Sequence, residues 1–510
     1  MLGGVLLALT FPNPSLVILL PVALVPLMVA VDGATVRRSA WIGFVFGAAF
    51  WTASIHWIAY VVHRYGQMPW PVAGVALALT AIILAVPFGA MSAAVAAARP
   101  ATPLATLGVW TAAWVAQEGL RTYFMNGFPW ALLAYPLADT PELMQTASLG
   151  GVELTTALVV LVNASLFLAI THHDILWRVA FVHIAAAVFG ASALYGQRHL
   201  RTFHGGLDGR ALYVGVVQTN VSQDQRWTSA TGTQVLDDLV DQTRRLAALS
   251  KPRPQIILWP ESASPFSWSW SPDYRLRVIR LCAELDVAIL LSTAWTDSPE
   301  DDDAPYYNAA LLVTKDGPTL PPYYKLRLVP FGEYVPFRSL LGKIKPISRA
   351  VPGSFTPGTE VRLLPFRGRR LGGAVCYEVT YPWIPRDEVR AGADMLFSLT
   401  NDSWFGTAGA RRQHWQSVVF RSVETGRTMV RAAITGISGL VLETGHALPI
   451  VGPDKRGAFV TPVPYPLRTP LAVEAGDTVL FVCAGGIVAA ILVRRARARA
   501  NSPAPKRAST

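Results

Sequence analysis

The sequence predicts an α-helical membrane bundle joined to one α/β domain. Long apolar stretches occupy both ends of the chain, and strand and helix patterns alternate between them. Hydrophobic residues make up 52% of the 510 residues and charged residues only 15%, whereas soluble domains carry about 25% charged residues. Because this deficit in charge lies at the two ends, we expect those ends to lie in lipid and the middle to fold as a globular domain.

The apolar stretches define the predicted helices of the bundle. A helix needs about 20 apolar residues to cross a bilayer. Stretches of this kind occupy residues 15–31, 39–62, 71–98, 104–121, 152–170, 176–195 and 472–493. A further apolar segment, at residues 2–9, is too short to cross alone, and counting it gives about eight helices. We therefore predict an amino-terminal bundle over residues 1–200, a carboxy-terminal helix over 472–493 and a basic tail over 494–510.

Basic residues near the ends of these stretches predict the orientation of the chain. Arg37, Arg99 and Arg178 fall in alternate loops, and a tail rich in arginine follows the last helix. Since Lys and Arg favour cytoplasmic loops, the central domain is expected on the opposite side. Such anchoring accounts for the net charge of +11, and the lack of a basic helix interleaved with aromatic residues argues against nucleic-acid binding.

Strand and helix patterns over residues 211–465 predict the α/β domain. Short apolar runs indicate strands, and longer amphipathic runs indicate helices. The predicted strands occupy residues 211–218, 256–259, 288–293, 308–314, 371–376, 395–400, 432–443 and 456–464. The predicted helices occupy residues 231–249, 273–286 and 411–430. A domain of about 250 residues is large enough for one extensive core.

Three residues that follow short apolar runs are candidates for catalysis. Glu261 follows Ile-Ile-Leu-Trp-Pro, Lys325 follows Pro-Pro-Tyr-Tyr, and Cys376 ends Leu-Gly-Gly-Ala-Val-Cys. Separately, each has a plain structural explanation, as a turn carboxylate, a surface lysine and a small buried hydrophobic residue. Together they supply a general base, a cation that lowers a thiol pKa and binds an oxyanion, and a nucleophile. Cys282 and Cys483 are predicted to be inert.

Several motifs around these residues resemble those of a known superfamily. The segment Trp-Pro-Glu-Ser at Glu261, the opening segment at 216–220 and the segment at 398–406 are similar to motifs of the nitrilase superfamily. That superfamily has Glu, Lys and Cys in the same chain order. The segments Asn-Gly-Phe-Pro-Trp at 126–130 and Val-Pro-Phe-Gly-Glu-Tyr-Val-Pro at 329–336 are similar to motifs of apolipoprotein N-acyltransferases. Nearly the whole chain resembles that family.

The resemblance implies a fold and a set of site residues. The α/β domain is expected to form a nitrilase-like α-β-β-α sandwich, with Glu261 as base, Lys325 as oxyanion stabiliser and Cys376 as nucleophile. Further residues are expected to support the site or bind substrate: Glu333, Glu378, Tyr377, Trp227, Asn308, Trp404 and Phe405. For Trp404 and Phe405 two interpretations stay open, core packing and a mobile aromatic lid that touches acyl chains. No metal or cofactor is expected.

The resemblance also implies a reaction. A membrane phospholipid is expected to donate an acyl group to Cys376, and the diacylglyceryl-modified amino-terminal cysteine of an apolipoprotein is expected to accept it from the thioester. Two substrates that use one site in turn imply ping-pong kinetics. The expected location is the bacterial cytoplasmic (inner) membrane, with the catalytic domain on the periplasmic side, and a monomer is expected.

Two other functions are compatible with parts of the sequence. A membrane-tethered amidase or nitrilase that acts on a small soluble substrate would use the same three residues, but it needs no helix bundle. A transporter with an accessory domain would need an ion path, yet the apolar helices hold few charges, namely Asp32, Glu118 and Glu153 near their ends. The metal motif H-E-x-x-H, the phosphate-loop motif and the serine-hydrolase motif G-x-S-x-G are absent from the sequence.

Overall fold

The computed structural model describes residues 1–124, 126–201, 211–222, 229–301, 303–341, 343, 354–466 and 468–500. Within these ranges the chain forms a helical bundle and a two-sheet α/β sandwich. This arrangement confirms the predicted fold class.

Helices from both ends of the chain form the bundle. They are Leu2–Leu9, Val25–Val31, Val36–Ser54, Trp57–Arg64, Trp70–Ala98, Pro103–Tyr123, Pro141–Met144, Ala147–Thr171, Ile175–Arg201, Leu471–Ala475 and Thr478–Ala500. Those long and apolar enough to cross a membrane are Trp70–Ala98, Ala147–Thr171, Ile175–Arg201 and Thr478–Ala500. Val36–Ser54 and Trp57–Arg64 meet at a bend of 56° and count as a fifth span if taken together. The described part of the chain thus has four or five spans, fewer than the eight helices that the sequence suggested.

Two of the predicted stretches depart from a long apolar helix. Residues 15–31 form a 3₁₀ turn at Val17–Leu19 and a short helix at Val25–Val31. Pro21 lies between these two pieces, and a proline inside a helix removes a backbone donor and clashes with the preceding turn. The stretch at 104–121 does form a helix, but polar side chains near its end lower its hydropathy.

Buried polar contacts satisfy those side chains inside the bundle. Glu118 accepts hydrogen bonds from Arg121 Nη2 at 3.3 Å and from the backbone N–H of Leu133 at 2.8 Å. Arg121 Nη1 also donates to the carbonyl of Trp130 at 3.1 Å. A buried charge is tolerated only when it is paired and hydrogen-bonded, so this pair fixes the loop after the helix against the bundle.

Two β-sheets form the sandwich. The strands are β1 Leu212–Gln218, β2 Ile256–Leu258, β3 Ala288–Trp295, β4 Tyr307–Thr314, β5 Gly317–Pro318, β6 Tyr323–Tyr324, β7 Leu364–Phe366, β8 Arg369–Val375, β9 Met395–Thr400, β10 Met429–Ala433, β11 Ser438–Val441, β12 Ala447–Val451 and β13 Gly457–Val463. The first sheet has the order β13-β1-β2-β3-β4-β5, with β6 paired to β4. The second has the order β12-β11-β10-β9-β8-β7.

Helices cover the outer face of each sheet. In β1, Val217 packs in a cluster with residues of the helices Ser229–Leu249 and Pro272–Leu285. Its neighbour Val216 belongs to the core that includes residues of the second sheet, as expected where successive side chains point to opposite faces of a strand. The helix Ala408–Thr425 covers the second sheet. The result is the α-β-β-α layering expected from the sequence.

The segment between 411 and 451 differs from the prediction at its boundaries. The helix ends at Thr425, where Gly426 has a φ of +60°, a conformation that favours glycine and ends helices. The single strand expected at 432–443 is divided into β10 and β11. Strand β12 was not predicted, because Pro449 within it is atypical of strands.

The bundle contacts the sandwich through the helix Ala408–Thr425. Gln413 on this helix accepts a hydrogen bond from Trp130 Nε1 at 2.7 Å. Its Nε2 atom lies within hydrogen-bonding distance of the carbonyls of Pro12, at 3.3 Å, and Ser54, at 3.2 Å. Ser54 is the last residue of the helix Val36–Ser54, which forms half of the bent span. The buried side-chain amide of Gln413 therefore contacts three separate parts of the bundle, at Trp130, Pro12 and Ser54.

Close packing of small residues in the bundle gives a testable prediction. A Cβ atom at Gly43 would lie 2.2 Å from Ser92 Oγ and 2.3 Å from the carbonyl oxygen of Phe88. We expect Gly43→Val to lower the thermal unfolding midpoint of the detergent-purified protein, since overpacking costs about 1–3 kcal/mol. Gly74→Val is the matched control, because a Cβ there meets nothing within 4 Å. Equal midpoints for the two variants would contradict this packing.

Candidate active site

A buried lysine lies between two carboxylates at the edge of the first sheet. Glu261 follows β2, and Lys325 follows β6. Lys325 Nζ lies 3.3 Å from Glu261 Oε1 and 2.9 Å from Glu333 Oε1. The Lys325 side chain is only 1% exposed. The alternative explanation of Lys325 as a surface lysine is therefore excluded, and its position is consistent with the predicted site role.

Asn308 on β4 holds both carboxylates in place. Its Nδ2 atom donates to Glu261 Oε1 at 2.9 Å and to Glu333 Oε1 at 2.7 Å. The side-chain oxygen of Asn308, Oδ1, accepts a hydrogen bond from Ser292 Oγ at 3.0 Å. This contact fixes the orientation of the side-chain amide. Asn308 thus bonds to both carboxylates, and its role in supporting a catalytic site stays a prediction.

Backbone N–H groups satisfy the remaining carboxylate oxygens. The N–H of Asn401 donates to Glu261 Oε2 at 3.1 Å, and the N–H of Val329 donates to Glu333 Oε2 at 2.8 Å. Both carboxylates are therefore fixed on each oxygen before any substrate binds. Such fixed polar groups need little reorganisation during a reaction.

The charge of Lys325 is set by its two partners. Burial alone would lower the pKa of Lys325, but the charges of Glu261 and Glu333 more than offset burial, and the pKa is raised. The lysine therefore stays protonated at every physiological pH. A buried ammonium group of this kind suits the stabilisation of a developing negative oxygen.

Cys376 follows β8 at a sharp change of backbone direction. Its φ is +57°, in the left-handed region that a residue with a side chain rarely adopts. It begins the 3₁₀ turn Cys376–Thr380, and its Sγ atom lies 3.4 Å from Thr400 Oγ1. Strained backbone that persists in a well-packed structure is common at functional sites.

The thiol of Cys376 is held in its protonated form. Burial raises its pKa, the nearby charge of Glu261 raises it further, and Lys325 acts in the opposite direction. The sequence analysis expected Lys325 to lower the thiol pKa. The charge of Lys325 does act in that direction, but the net pKa of Cys376 is raised. Because burial and Glu261 outweigh the effect of Lys325, the thiol form is favoured over the thiolate, and any reaction at this sulfur would need a base.

Glu378 links the turn of the nucleophile to the segment of Lys325. Its carboxylate accepts hydrogen bonds from the hydroxyl of Tyr323 at 2.9 Å and from the N–H groups of Leu326, at 2.6 Å, and Val375, at 2.9 Å. Burial raises the pKa of Glu378 to about 7, although Lys325 and these hydrogen bonds oppose the shift. All of these partners are protein groups, so Glu378 holds the Cys376 turn against the segment that contains Lys325.

Aromatic side chains from the bundle surround the nucleophile turn. Tyr377 is buried and stacks on Phe128 and Trp130, with ring centroids 6.2 and 6.3 Å apart. Phe405 packs against Trp130 at 5.5 Å and against Trp57 at 4.9 Å. The bundle thus forms one wall of the site.

The other predicted aromatic residues have different positions. Trp404 is 37% exposed and meets Tyr65 edge-on, with centroids 4.9 Å apart. Its neighbour Phe405 is packed among bundle aromatics. The two residues therefore differ in position, since Trp404 is partly exposed and Phe405 is packed. Trp227 lies outside the described residues.

A buried polar network behind Cys376 was not predicted. His414 Nε2 lies 3.1 Å from the carbonyl oxygen of Cys376. On its other side, Arg431 Nη2 lies 2.8 Å from Asp402 Oδ2 and 3.0 Å from His414 Nδ1. Burial lowers the pKa of His414, and Arg431 lowers it further despite Asp402. Nε2 donates to the Cys376 carbonyl, because a carbonyl oxygen can only accept, and Nδ1 lies between Arg431 and Asp402 Oδ1, which is 3.0 Å away.

The network could not be read from the sequence because its members are distant. Asp402 lies in the segment 398–406, whereas its partner Arg431 is on β10, which pairs in parallel with β9. An arginine inside a strand gives no sign of a partner until the strand neighbours are known. Arg431 is 0% exposed, and a buried charge of this kind has to be paired, but its burial is visible only in the structure.

The chain matches known proteins over most of its length. Two family models match, the Apolipoprotein N-acyltransferase N-terminal domain over residues 3–165 and Carbon-nitrogen hydrolase over residues 213–457. An apolipoprotein N-acyltransferase from Geobacter metallireducens is 31% identical and covers 97% of this chain and 94% of its own. One from Methylococcus capsulatus is 30% identical and covers 97% of this chain and 95% of its own. An amidase structure from Nesterenkonia sp. covers 55% of this chain and 97% of its own, at 20% identity and a TM-score of 0.40.

The chain is a membrane-associated member of the carbon-nitrogen hydrolase class of enzymes. This follows from the two-sheet sandwich, the family model that matches it and the apolar helices attached to it. Identity of 30% or more over nearly the full length narrows the assignment. The chain belongs to the apolipoprotein N-acyltransferase family. The family suggested by the sequence motifs is thereby confirmed.

The raised pKa of Cys376 predicts the pH dependence of its alkylation. We expect the rate of modification by iodoacetamide to keep rising from about pH 7 to about pH 10, since the thiolate fraction grows until the pH exceeds the thiol pKa. Mass spectrometry of the Cys376 peptide at each pH measures the rate without interference from Cys282 and Cys483. A plateau near neutral pH would show that the thiol is ionised and would contradict the raised pKa.

The position of His414 predicts a supporting role. His414→Ala removes the donor to the Cys376 carbonyl, and an unsatisfied buried acceptor costs about 1–3 kcal/mol. We expect a slower alkylation of Cys376 with an unchanged pH profile, because the imidazole contacts the carbonyl oxygen of Cys376. His414→Gln, which keeps a side-chain N–H donor, should recover part of the rate. A shifted pH profile in either variant would mean that His414 itself exchanges the thiol proton.

Proposed function

We propose that this protein transfers an acyl chain from a membrane phospholipid to the α-amine of a diacylglyceryl-modified cysteine at the amino terminus of an apolipoprotein. The observation that supports this most directly is the position of Cys376. The residue after it, Tyr377, stacks on bundle aromatics, and the charges of Glu261 and Lys325 both act on its thiol. A nucleophile at such a junction fits lipid-anchored substrates.

In the first half-reaction Cys376 is the nucleophile. Glu261 accepts the thiol proton as Sγ attacks the ester carbonyl of the phospholipid, and Lys325 stabilises the tetrahedral oxyanion. The intermediate collapses with cleavage of the ester C–O bond. The departing glycerol oxygen takes the proton from Glu261, which leaves a lysophospholipid and a thioester on Cys376.

In the second half-reaction the acceptor amine attacks the thioester carbonyl. Glu261 accepts a proton from the amine, and Lys325 again stabilises the oxyanion. The C–S bond breaks, the sulfur takes the proton from Glu261, and the acylated amine leaves as an amide. Both substrates use the same three residues in turn, which gives ping-pong kinetics. Glu333, Asn308 and the other supporting residues fix this geometry.

The location that fits this reaction is the bacterial cytoplasmic membrane, with the sandwich on the periplasmic side. Arg494 Nη1 donates to the carbonyl of Ala97 at 3.3 Å, so the basic tail begins beside Arg99. At the other end of the helix Thr478–Ala500, Asp477 accepts a hydrogen bond from Tyr123 and pairs with Arg386 of the sandwich. This separation supports an orientation with the arginines in the cytoplasm, and one chain supplies every proposed site residue, as a monomer would require.

A hydrolase with the same residues is the second candidate function. It would release free fatty acid, because water would attack the thioester. The aromatic wall formed by Trp130, Tyr377 and Phe405 opposes this, since a dry site excludes water until the amine arrives. The carbon-nitrogen hydrolase match is equally compatible with both outcomes, so the distinction requires an experiment.

The two functions differ in the behaviour of the acyl-enzyme. The purified protein mixed with phospholipid alone should accumulate a thioester at Cys376 with stoichiometric lysophospholipid, measured by intact mass spectrometry. A diacylated lipopeptide with a free amine should discharge it, and the same peptide with a blocked amine should not. Continuous release of fatty acid without acceptor would establish the hydrolase.

Variants of the cysteines provide the matched controls for that experiment. Cys376→Ala should form no adduct, and Lys325→Ala should slow adduct formation by about 10²–10³, the typical loss for one oxyanion partner. Cys282→Ala should behave like the unmodified protein, because Cys282 is buried in the helix Pro272–Leu285. An adduct that persists in Cys376→Ala would show that another residue is the nucleophile.

A further inference from the structure

A polar pocket lies at the junction of the bundle and the sandwich, apart from the thiol. It has a volume of about 370 Å³, within the range of small-molecule sites. Its wall includes Tyr123, Arg327, Trp383, Arg386, Arg390 and Asp477. None of these residues belongs to the proposed catalytic cluster.

The arginines of the pocket differ in their partners. Arg386 is paired with Asp477, and its Nη1 atom lies 3.5 Å from Glu153 Oε2. Arg390 is paired with Asp387. Arg327 has no ion pair with any described residue, and its Nε atom is buried without a hydrogen-bond partner there. Three carboxylates, Glu153, Asp387 and Asp477, pair with Arg386 and Arg390, and Arg327 is the one pocket arginine that no described carboxylate pairs with.

Aromatic rings hold the Arg327 guanidinium in position. Its central carbon lies 5.2 Å from the ring centroid of Trp383 and 5.9 Å from that of Tyr381. A guanidinium stacked in this way keeps its N–H groups available at the edges. Its planar fork then matches the oxygens of a phosphate group.

The pocket lies at the expected depth of lipid head groups. Tyr123 is the last residue of the helix Pro103–Tyr123, and Asp477 directly precedes the span Thr478–Ala500. Phe481, one turn into that span, also lines the pocket and is 70% exposed. A ligand here would have its polar part at the membrane boundary, where tyrosine and tryptophan are enriched, and its apolar part beside Phe481.

Short contacts connect the pocket to the nucleophile. The N–H of Arg327 donates to Glu378 at 3.2 Å, and Arg327 follows Lys325 by two positions. The ring of Tyr381 meets that of Tyr377 edge-on at 5.4 Å, and Tyr377 directly follows Cys376. Arg327 and Tyr381, which line and flank the pocket, are therefore each in contact with a residue beside the Cys376 turn.

We propose that this pocket binds the phosphodiester of the acyl-donor phospholipid, with Arg327 as the residue that recognises it. The proposal rests on the proposed function, since it assigns the head group of that same donor. It makes Arg327 a determinant of donor selection, and leaves bond breaking to Glu261, Lys325 and Cys376.

The test compares two acyl donors in the first half-reaction. Acylation of Cys376 is followed by intact mass spectrometry with dioleoyl phosphatidylethanolamine and with p-nitrophenyl palmitate, which has no phosphate. We expect Arg327→Gln to slow acylation by the phospholipid about tenfold or more and to leave acylation by the nitrophenyl ester unchanged. Arg362→Gln is the matched control, because Arg362 also stacks on a ring, Tyr324 at 5.2 Å, but lies outside the pocket.

Competing ligands identify the source of the phosphate. Glycerophosphoethanolamine should inhibit acylation by the phospholipid, and Arg327→Gln should abolish that inhibition. Inhibition by inorganic phosphate without inhibition by the glycerophosphodiester would overturn the assignment to a lipid head group.

Failure of this proposal is distinguishable from failure of the proposed function. Equal rates in Arg327→Gln and the unmodified protein with the phospholipid, or equal losses with both donors, would overturn the role of Arg327 while acyl transfer stands. Absence of any phospholipid-derived adduct on Cys376 in the unmodified protein, with the nitrophenyl ester still active, would instead overturn the phospholipid donor itself.

Discussion

The buried ion pairs of Lys325 determine how the rest of the site is built. A single ammonium group with 1% exposure lies between Glu261 and Glu333, and an isolated charge in such a position would be too costly to retain. The two carboxylates therefore have to be held close, and Asn308 and two backbone N–H groups do so. In return, the charge of Glu261 raises the pKa of the Cys376 thiol, and the proposed mechanism uses this carboxylate as the base.

The helix Ala408–Thr425 connects this chemistry to the bundle. Two adjacent residues on it make different contacts. Gln413 binds Trp130 and approaches two bundle carbonyls, whereas His414 binds the carbonyl of Cys376. The left-handed backbone of Cys376 is thus held by a helix that is itself held by the bundle. The nucleophile geometry depends on the membrane part of the chain, although every candidate catalytic residue belongs to the sandwich.

Much of the fold and part of the candidate site followed from local sequence patterns. Short continuous apolar runs predicted most strands of the sandwich, because a strand that is buried on both faces is apolar along its length. Short motifs indicated Glu261, Lys325 and Cys376. The described residues contain fewer spans than the sequence suggested, because the stretch at 15–31 is broken near Pro21 and the helix over 104–121 ends in the paired charges of Glu118 and Arg121. The network of Asp402, His414 and Arg431 was missed because only the pairing of β9 with β10 brings its members together.

The protonated state of Cys376 has a consequence for its chemical survival. Peroxides and disulfides react with thiolates far faster than with thiols, and compartments outside the cytoplasm lack the reducing pools that repair oxidised cysteine. A buried thiol that is ionised only as a carbonyl carbon approaches is a poor target for these oxidants. In the proposed periplasmic location, burial of the Cys376 thiol and its raised pKa would therefore protect the proposed nucleophile from oxidation without a second cysteine to restore it.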